Sequence, residues 1–153
     1  MGPGAGGGSD VRSDVVHRLE QEVGVLLRRV RRAIGERARL VHEDLHPSAY
    51  FLLVHVAEHG PLRASALVEA MDLDKGAMSR GVQHLIDLGL VDRTPDPDDG
   101  RATLIAVTDE GRTRLADMAE HRRKRLDERL AGWSDDELTA FVSELARYNA
   151  TLG

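Results

Sequence analysis

Apolar positions recur with helical spacing along most of this chain and switch to strand spacing in one short stretch. Val16, Leu19, Val23, Leu26, Val30 and Ala33 are separated alternately by three and four residues. That heptad seam predicts a long first helix, over about residues 11–40, that packs against another helix. Pro47 suits the first turn of a second helix. Tyr50, Phe51 and Val54, with Ala57 at the edge, form its apolar stripe, and Gly60-Pro61 ends it. Arg63 to Met71 reads as a short third helix with Ala66, Leu67 and Ala70 inward. A tight turn at Asp72-Leu73 follows. In the next stretch, Asp74 to Leu90, Met78, Val82, Leu85 and Ile86 fall on one helical face. Gly76, Arg80, Gln83 and His84 fall on the opposite face, Asp74 suits the N-cap, and Gly89 suits the stop.

Beyond Leu90 the period becomes two. Val91–Thr94 and Ala102–Val107 read as strands joined by the turn Pro95-Asp-Pro-Asp-Asp-Gly100, a hairpin wing with Arg101 just past its tip. Asp99 is near enough in sequence to brace the Arg101 guanidinium by a charge-assisted pair. Thr108 caps the next helix, with Asp109 and Glu110 in its positive first turn. That helix runs to about Leu130 and carries Leu115, Met118, Leu126 and Leu130. Ser134-Asp-Asp-Glu137 is a capping box. It opens a last helix with Leu138, Phe141, Val142, Leu145 and Tyr148 inward. The first helix and the last two are too apolar on one side for a solitary wing domain, so a second copy of the chain is expected to cover them.

The expected fold is therefore mainly α with a minor β component: a winged helix-turn-helix with N- and C-terminal helical dimerisation elements. Residues 1–10, rich in glycine, are expected to be a disordered tail. Residues 11–40 and 108–153 make the helical dimerisation region, and 41–107 the winged helix-turn-helix, in one continuous domain. The short third helix, the turn and the Asp74 helix stand in helix-turn-helix order. The outer face of the Asp74 helix, small at its start and then hydrogen-bonding and cationic, suits a recognition helix in a DNA major groove. An arginine on a narrow protruding tip suits a minor groove.

Composition adjusts this picture. The 153 residues are enough for one domain with a core. Cysteine is absent, which removes disulfides, cysteine–zinc sites and thiol redox sensing. Neither a signal peptide nor a run of apolar residues long enough to span a membrane is visible, so no membrane partner is expected and a cytoplasmic location is. The net charge is −5. From Lys75 to Arg101 the cations Lys75, Arg80, Arg93 and Arg101 face five aspartates. Any basic patch must be local. One candidate is the first helix, whose polar side carries Arg28, Arg29, Arg31, Arg32, Arg37 and Arg39 with only Glu36 opposing. Those arginines either form a solvated face or reach phosphates or a partner.

His42-Glu-Asp-Leu-His46 matches the zinc-protease pattern H-E-x-x-H. That chemistry needs both imidazoles on one continuous helix, and Pro47 pushes His46 out of the α region. No catalytic residues are therefore expected and the chain does not read as an enzyme. His42, His46 and His121 stay as candidates for a regulatory metal site.

Five stretches taken together give the chain a family likeness: His59-Gly-Pro-Leu62, Asp74-Lys-Gly-Ala-Met-Ser-Arg80, Leu88-Gly-Leu-Val-Asp-Arg93, Pro97-Asp-Asp-Gly-Arg101 and Thr108-Asp-Glu-Gly-Arg112. In this order and spacing they resemble the MarR family of bacterial transcription regulators over roughly residues 15–150. The resemblance implies a homodimer, interleaved through its terminal helices, that binds double-stranded DNA at a near-palindromic operator and associates with the bacterial nucleoid when bound. A repressor is expected over an activator because a dimer sitting on a promoter excludes polymerase by default. The resemblance implies that Ser79 and Arg80 contact the major groove, with Lys75, Gly76, Ala77, Gln83 and His84 as further DNA-binding candidates on the same helix. Arg101, braced by Asp99, would enter the minor groove. Arg63 and Ser65 would touch phosphate, and Arg93 leads into the wing. Many relatives carry polar residues where this chain has Gly76 and Ala77, which leaves fewer side-chain bonds to bases. The resemblance implies no cofactor, but a small-molecule effector in a crevice between the dimer helices and the DNA-binding lobe, with Tyr50, Trp133 and the histidines as lining candidates. Two other readings stand beside it: a zinc-responsive regulator of the same fold, and a winged helix used for protein contacts, which the acidic balance keeps open.

Overall fold

Helix α1 runs from Gly7 to Val41 in a computed structural model that describes residues 7–152. It begins inside the stretch expected to be a disordered tail. Adding a turn to an existing helix is cheap once the helix is nucleated, and Asp10 in the first turn faces the positive helix end. The part of that expectation covering residues 1–6 lies outside the described residues. After α1 the elements are α2 (Pro47–His59), β1 (Leu62–Arg63), α3 (Ala64–Met71), α4 (Lys75–Asp87), β2 (Val91–Pro95), β3 (Thr103–Val107), α5 (Asp109–Leu130) and α6 (Asp135–Asn149). This is a winged helix-turn-helix, mainly α, with a small antiparallel sheet of order β1-β3-β2.

The chain divides into two compact units, one up to Leu115 and one from Ala116 onward. In the first unit, the end of α1 supplies Ala38 and Val41 to the core and α2 supplies Ala49, Tyr50, Leu52, Leu53 and Val56. Met78, Val82 and Leu85 of α4 and Ile105 and Val107 of β3 close it. Each large side chain so buried contributes about 1.5–3 kcal/mol of transfer free energy. The helices α2 and α4 meet closely where Gly81 faces Leu52, since a Cβ at residue 81 would lie 3.2 Å from the leucine Cδ2.

The α2 stripe differs from expectation. Phe51 and Ala57 are exposed and Val54 is half-buried, while Leu52, Leu53 and Val56 are buried. Tyr50-Phe-Leu-Leu-Val is apolar without a break, so the sequence offers no period by which to pick the inner face. In α3 only Leu67 is buried, with Val68 half-buried; Ala66 and Ala70, expected inward, are exposed. On this short helix Leu67 and Val68 take the inward positions, which leaves both alanines outside. Arg63 is not the first residue of α3. It is the extended N-cap and pairs with Leu104 in β3, a third strand not anticipated. On α1, Arg37 is half-buried and follows Val30 by one heptad, so it lies on the seam side and not with the other arginines.

Local signals set the ends of the helices. The Asp74 carboxylate accepts the Ala77 amide at 2.8 Å, capping α4. Gly89, at φ 71°, turns the chain so that the Gly89 and Leu90 amides reach the carbonyls of Ile86 and Leu85. Asp72, at φ 50°, does the same for α3. Ser134 and Glu137 form the anticipated capping box at α6, and donation from the Ser134 amide and hydroxyl holds the Glu137 carboxyl below its ordinary range.

The wing is fastened to α5 through Thr108. Its amide donates to the Leu90 carbonyl at 3.1 Å, its hydroxyl donates to the Gly89 carbonyl at 2.7 Å, and that hydroxyl accepts the Gly111 amide at 3.0 Å. Arg114 adds a 3.0 Å bond from its guanidinium to the Val41 carbonyl at the end of α1. In the second unit Trp133 meets Phe141 edge to face at 5.6 Å. Helix α6 buries none of its side chains: Phe141, Val142 and Leu145 are all exposed. The α1 seam, from Val16 to Val30, is likewise largely uncovered.

A Cβ at Gly111 would lie 2.3 Å from the Leu90 carbonyl oxygen and 2.8 Å from a Val107 methyl. Gly111→Ala is therefore expected to lower stability by about 1–3 kcal/mol, read as a fall of several degrees in thermal midpoint. An unchanged midpoint would mean that α5 does not seat on the wing in this way.

Candidate nucleic-acid interface

Four of the expected DNA-contacting residues surround one groove. Ser65 of α3, Lys75 and Ser79 of α4, and Arg93 of β2 stand at the edge of a cavity of about 510 Å³. Its floor is apolar, made by Val68, Met78, Val82 and Ile105. The groove exists because α3 and α4 diverge from their turn while the wing strands close the third side.

The exposed face of α4 begins with Lys75 and Gly76 and continues through Ser79, Arg80 and Gln83. Gly76 has a local purpose. A Cβ there would lie 3.3 Å from the Arg80 guanidinium and 3.1 Å from the Asp74 carboxylate. Glycine lets the arginine fold back over the first turn without displacing the cap. Ala77 is half-buried, and Gln83 donates to Asp87 at 2.9 Å, one turn along. His84 departs from the outer face assigned to it. It is half-buried in the last turn of α4, its ring centroid is 4.8 Å from that of His46, and its Nε2 is buried without a hydrogen-bond partner. Position 84 lies where α4 passes the start of α2, so the ring turns inward to pack.

The wing tip has a charge arrangement that differs from the expected one. The Asp99 carboxylate accepts the backbone amide of Arg101 at 3.1 Å and so shapes the tip, but it does not pair with the Arg101 guanidinium. Its other oxygen lies 3.8 Å from Arg63. Arg63, expected on phosphate, instead donates through Nε to Asp96 at 2.7 Å. Asp96 is the one buried charged residue among those described, 7% exposed. Its other oxygen accepts the Asp98 amide at 2.9 Å, an Asx turn over Asp96-Pro97-Asp98. The Asp98 amide first, and then the Arg63 guanidinium, hold the Asp96 carboxyl below its ordinary range, and Asp96 in turn raises Arg63. This tie joins the start of α3 to the root of the wing tip. By charge alone Asp96 is only one of five aspartates between Lys75 and Arg101, so nothing in the charge pattern singles it out. An aspartate confined between two prolines was the available signal.

The histidine candidates stand in three different local settings. His46 is extended at φ −69° and ψ 141°, outside any helix, so the H-E-x-x-H geometry does not form. The His42 Nδ1 accepts the Asp44 amide at 3.1 Å. His121 is exposed on α5 in the second unit. Among the described residues no group of three or more His, Asp or Glu side chains is placed to hold a metal ion. Tyr50 is buried in the first unit, while Trp133 belongs to the second. No helix among the described residues is long and apolar enough to cross a membrane.

Comparison with known proteins agrees with this geometry. A family model described as MarR family matches residues 43–102, from the α1–α2 turn to the wing tip. The chain is 35% identical over 106 residues to the uncharacterized HTH-type transcriptional regulator YxaD of Bacillus subtilis (strain 168), covering 69% of this chain and 74% of that one. Its fold is similar to that of the MarR family transcription regulator SP03579, with a TM-score of 0.75 and 22% identity over 94% of this chain and 95% of the other. RV1404 from Mycobacterium tuberculosis is similar at a TM-score of 0.72 and 23% identity, with 97% of each chain covered.

The depressed Asp96 carboxyl sets a direction for pH. Its contribution to stability is fully present above the ordinary aspartate range and is lost as pH falls through its lowered value. Asp96→Asn removes the charge that Arg63 meets. The parent is expected to melt above the variant at pH 7, and that gap should narrow below about pH 4. A gap that stays constant from pH 7 to pH 3 would show that the tie carries no stability.

Proposed function

The chain belongs to the MarR family, and we propose that this DNA-binding transcription regulator works as a homodimeric repressor at a near-palindromic operator. The observation that carries the reading is the α4 face. Gly76, Ser79, Arg80 and Gln83 are exposed along a helix whose opposite side, Met78, Val82 and Leu85, is buried. A helix fixed on one side and free on the other enters a major groove as a rigid body. Arg80 is the side chain suited to a bidentate bond with guanine, and Gly76 and Ala77 let the backbone approach closely. Ser65 and Lys75 lie at helix starts where phosphate is favoured. Arg101 extends from a tip whose backbone Asp99 fixes, and it reads the width of the minor groove. In this reading Arg63 positions the wing through Asp96. Any contact it makes to phosphate is additional to that.

The uncovered apolar residues of the α1 seam and of α6 support the second copy. An exposed Phe141, Val142 and Leu145 on one short helix is a surface that a partner covers. Two-fold symmetry then requires half-sites about one DNA turn apart, roughly 10 bp.

The groove beside α4 supports release by a small molecule. Its volume lies within the range of ligand sites, its floor is apolar, and Lys75 and Arg93 stand at its edge. A small apolar anion fits that chemistry. It would occupy Ser79 and Lys75 in competition with DNA, so it needs no crevice between the dimer helices and the DNA-binding lobe. Such a ligand acts through its unequal affinity for free and DNA-bound protein.

A test begins with duplexes selected from a random pool by the parent protein. Arg80→Ala should lose about 1–3 kcal/mol on the selected site and little on unrelated duplexes. Arg101→Ala should weaken both more evenly. If Arg80→Ala bound the selected site as tightly and as selectively as the parent, α4 would not be the reading element. Sedimentation of the parent as a single chain at micromolar concentration would remove the dimer.

A further inference from the structure

The winged lobe that meets DNA in the proposed reading is acidic. Residues 42–107 hold five cations against eleven acids, a balance of −6. One of the five, Arg63, is already paired with Asp96. Nucleic-acid affinity rests on neutralising phosphates, and a surface of this sign repels the duplex that its recognition helix must read. The missing positive charge lies on α1. Residues 28–39 contain six arginines and one acid, Glu36.

Five of these arginines, Arg28, Arg29, Arg31, Arg32 and Arg39, are exposed, and among the described residues none has an ion-pair or hydrogen-bond partner. Arg28, Arg32 and Arg39 fall within roughly 40° of one another around the helix, opposite the Val23–Val30 seam. They form a straight cationic band on the polar side. The other basic run, Arg122 to Arg125 on α5, differs. Asp117, Glu120, Asp127 and Glu128 lie within one or two turns of it and offset it locally. Within the same distance the α1 band meets Glu22, Glu36, Glu43 and Asp44, but its six arginines exceed those four acids by two, where the four cations of the α5 run only match theirs. The α1 band also belongs to the same compact unit as α4.

We infer that the arginine band of α1 is a second, sequence-independent phosphate-binding surface, supplying the electrostatic attraction that the acidic winged lobe lacks. The inference rests on the DNA-binding reading above. Its division of labour is that α4 and the wing discriminate between sequences, while α1 raises affinity for every duplex alike. Guanidiniums suit the task because they stay charged and offer several donors to phosphate oxygens.

The test uses the full chain, a selected operator duplex and a mixed-sequence duplex, with binding measured by fluorescence anisotropy between 50 and 200 mM KCl as chosen conditions. Two triple variants are compared with the parent: R28Q/R32Q/R39Q and R28K/R32K/R39K. The glutamine variant should fold with the parent's circular dichroism and dimer mass. Its plot of log K against log salt should be shallower by about 0.9 for each phosphate that the parent neutralises and the variant does not. Both duplexes should weaken by the same factor, roughly tenfold or more at the higher salt, so the ratio between them stays fixed. The lysine variant, which keeps the charge, should retain most of the slope. Parallel slopes for parent and glutamine variant overturn the inference and leave an acidic protein or plain solvent facing the band, with the DNA reading intact. A glutamine variant that loses operator preference while keeping its slope also overturns it. A parent that binds neither duplex overturns the DNA reading itself, whatever the variants do.

Discussion

The contact between Arg63 and Asp96 holds together two parts that the rest of the surface needs in register. Arg63 ends β1 and caps α3, and Asp96 begins the wing turn, so one ion pair spans residues 33 positions apart. The β1–β3 pairing brings them near each other, but it covers only Leu62 and Arg63. Two residues of ladder do not fix the angle of a hairpin. A charge-assisted bond to a buried carboxylate, itself anchored by the Asp98 amide, restricts that angle. The position of Arg101 relative to the α4 face follows from it. So does the shape of the groove between them, whose third wall is the wing.

Charge is arranged in the molecule by region. The winged lobe is acidic, the polar side of α1 is strongly cationic, and the net value of −5 hides both. The acids of the wing are partly employed. Asp96 pairs with Arg63, and Asp99 and Asp92 accept the amides of Arg101 and Arg93. They act as fasteners for a loop with few apolar atoms, where backbone amides would otherwise depend on water. An acidic wing and a DNA-facing wing are thus compatible, provided that the attraction at long range comes from elsewhere.

Much of this was legible in the sequence, and the failures have identifiable causes. The helix-turn-helix, the wing, the Asp74 cap, the Gly89 stop and the Ser134–Glu137 box were readable because each is a local pattern with a local physical cause. The inner face of α2 was not readable, because an unbroken apolar run carries no phase. Strand β1 was invisible, because two residues have no period. At the site, the exposure of Ser79 and Arg80 followed from their spacing against Met78 and Val82. The partners of Arg63 and the inward turn of His84 did not follow, because both depend on residues far away in sequence: Asp96 for one and His46 for the other. Long-range pairing is the part of the site that spacing along a chain does not encode.

The bare side of α6 and the α1 seam have a consequence for how much of the protein a cell must hold. If a second chain covers those surfaces, folding and association are one equilibrium, and dilution lowers the stability of the protomer as well as the population of pairs. A regulator built this way has a floor on its own abundance, beneath which each molecule is both unable to grip a two-fold site and more open to proteolysis. Copy number would then act on this switch before any ligand did.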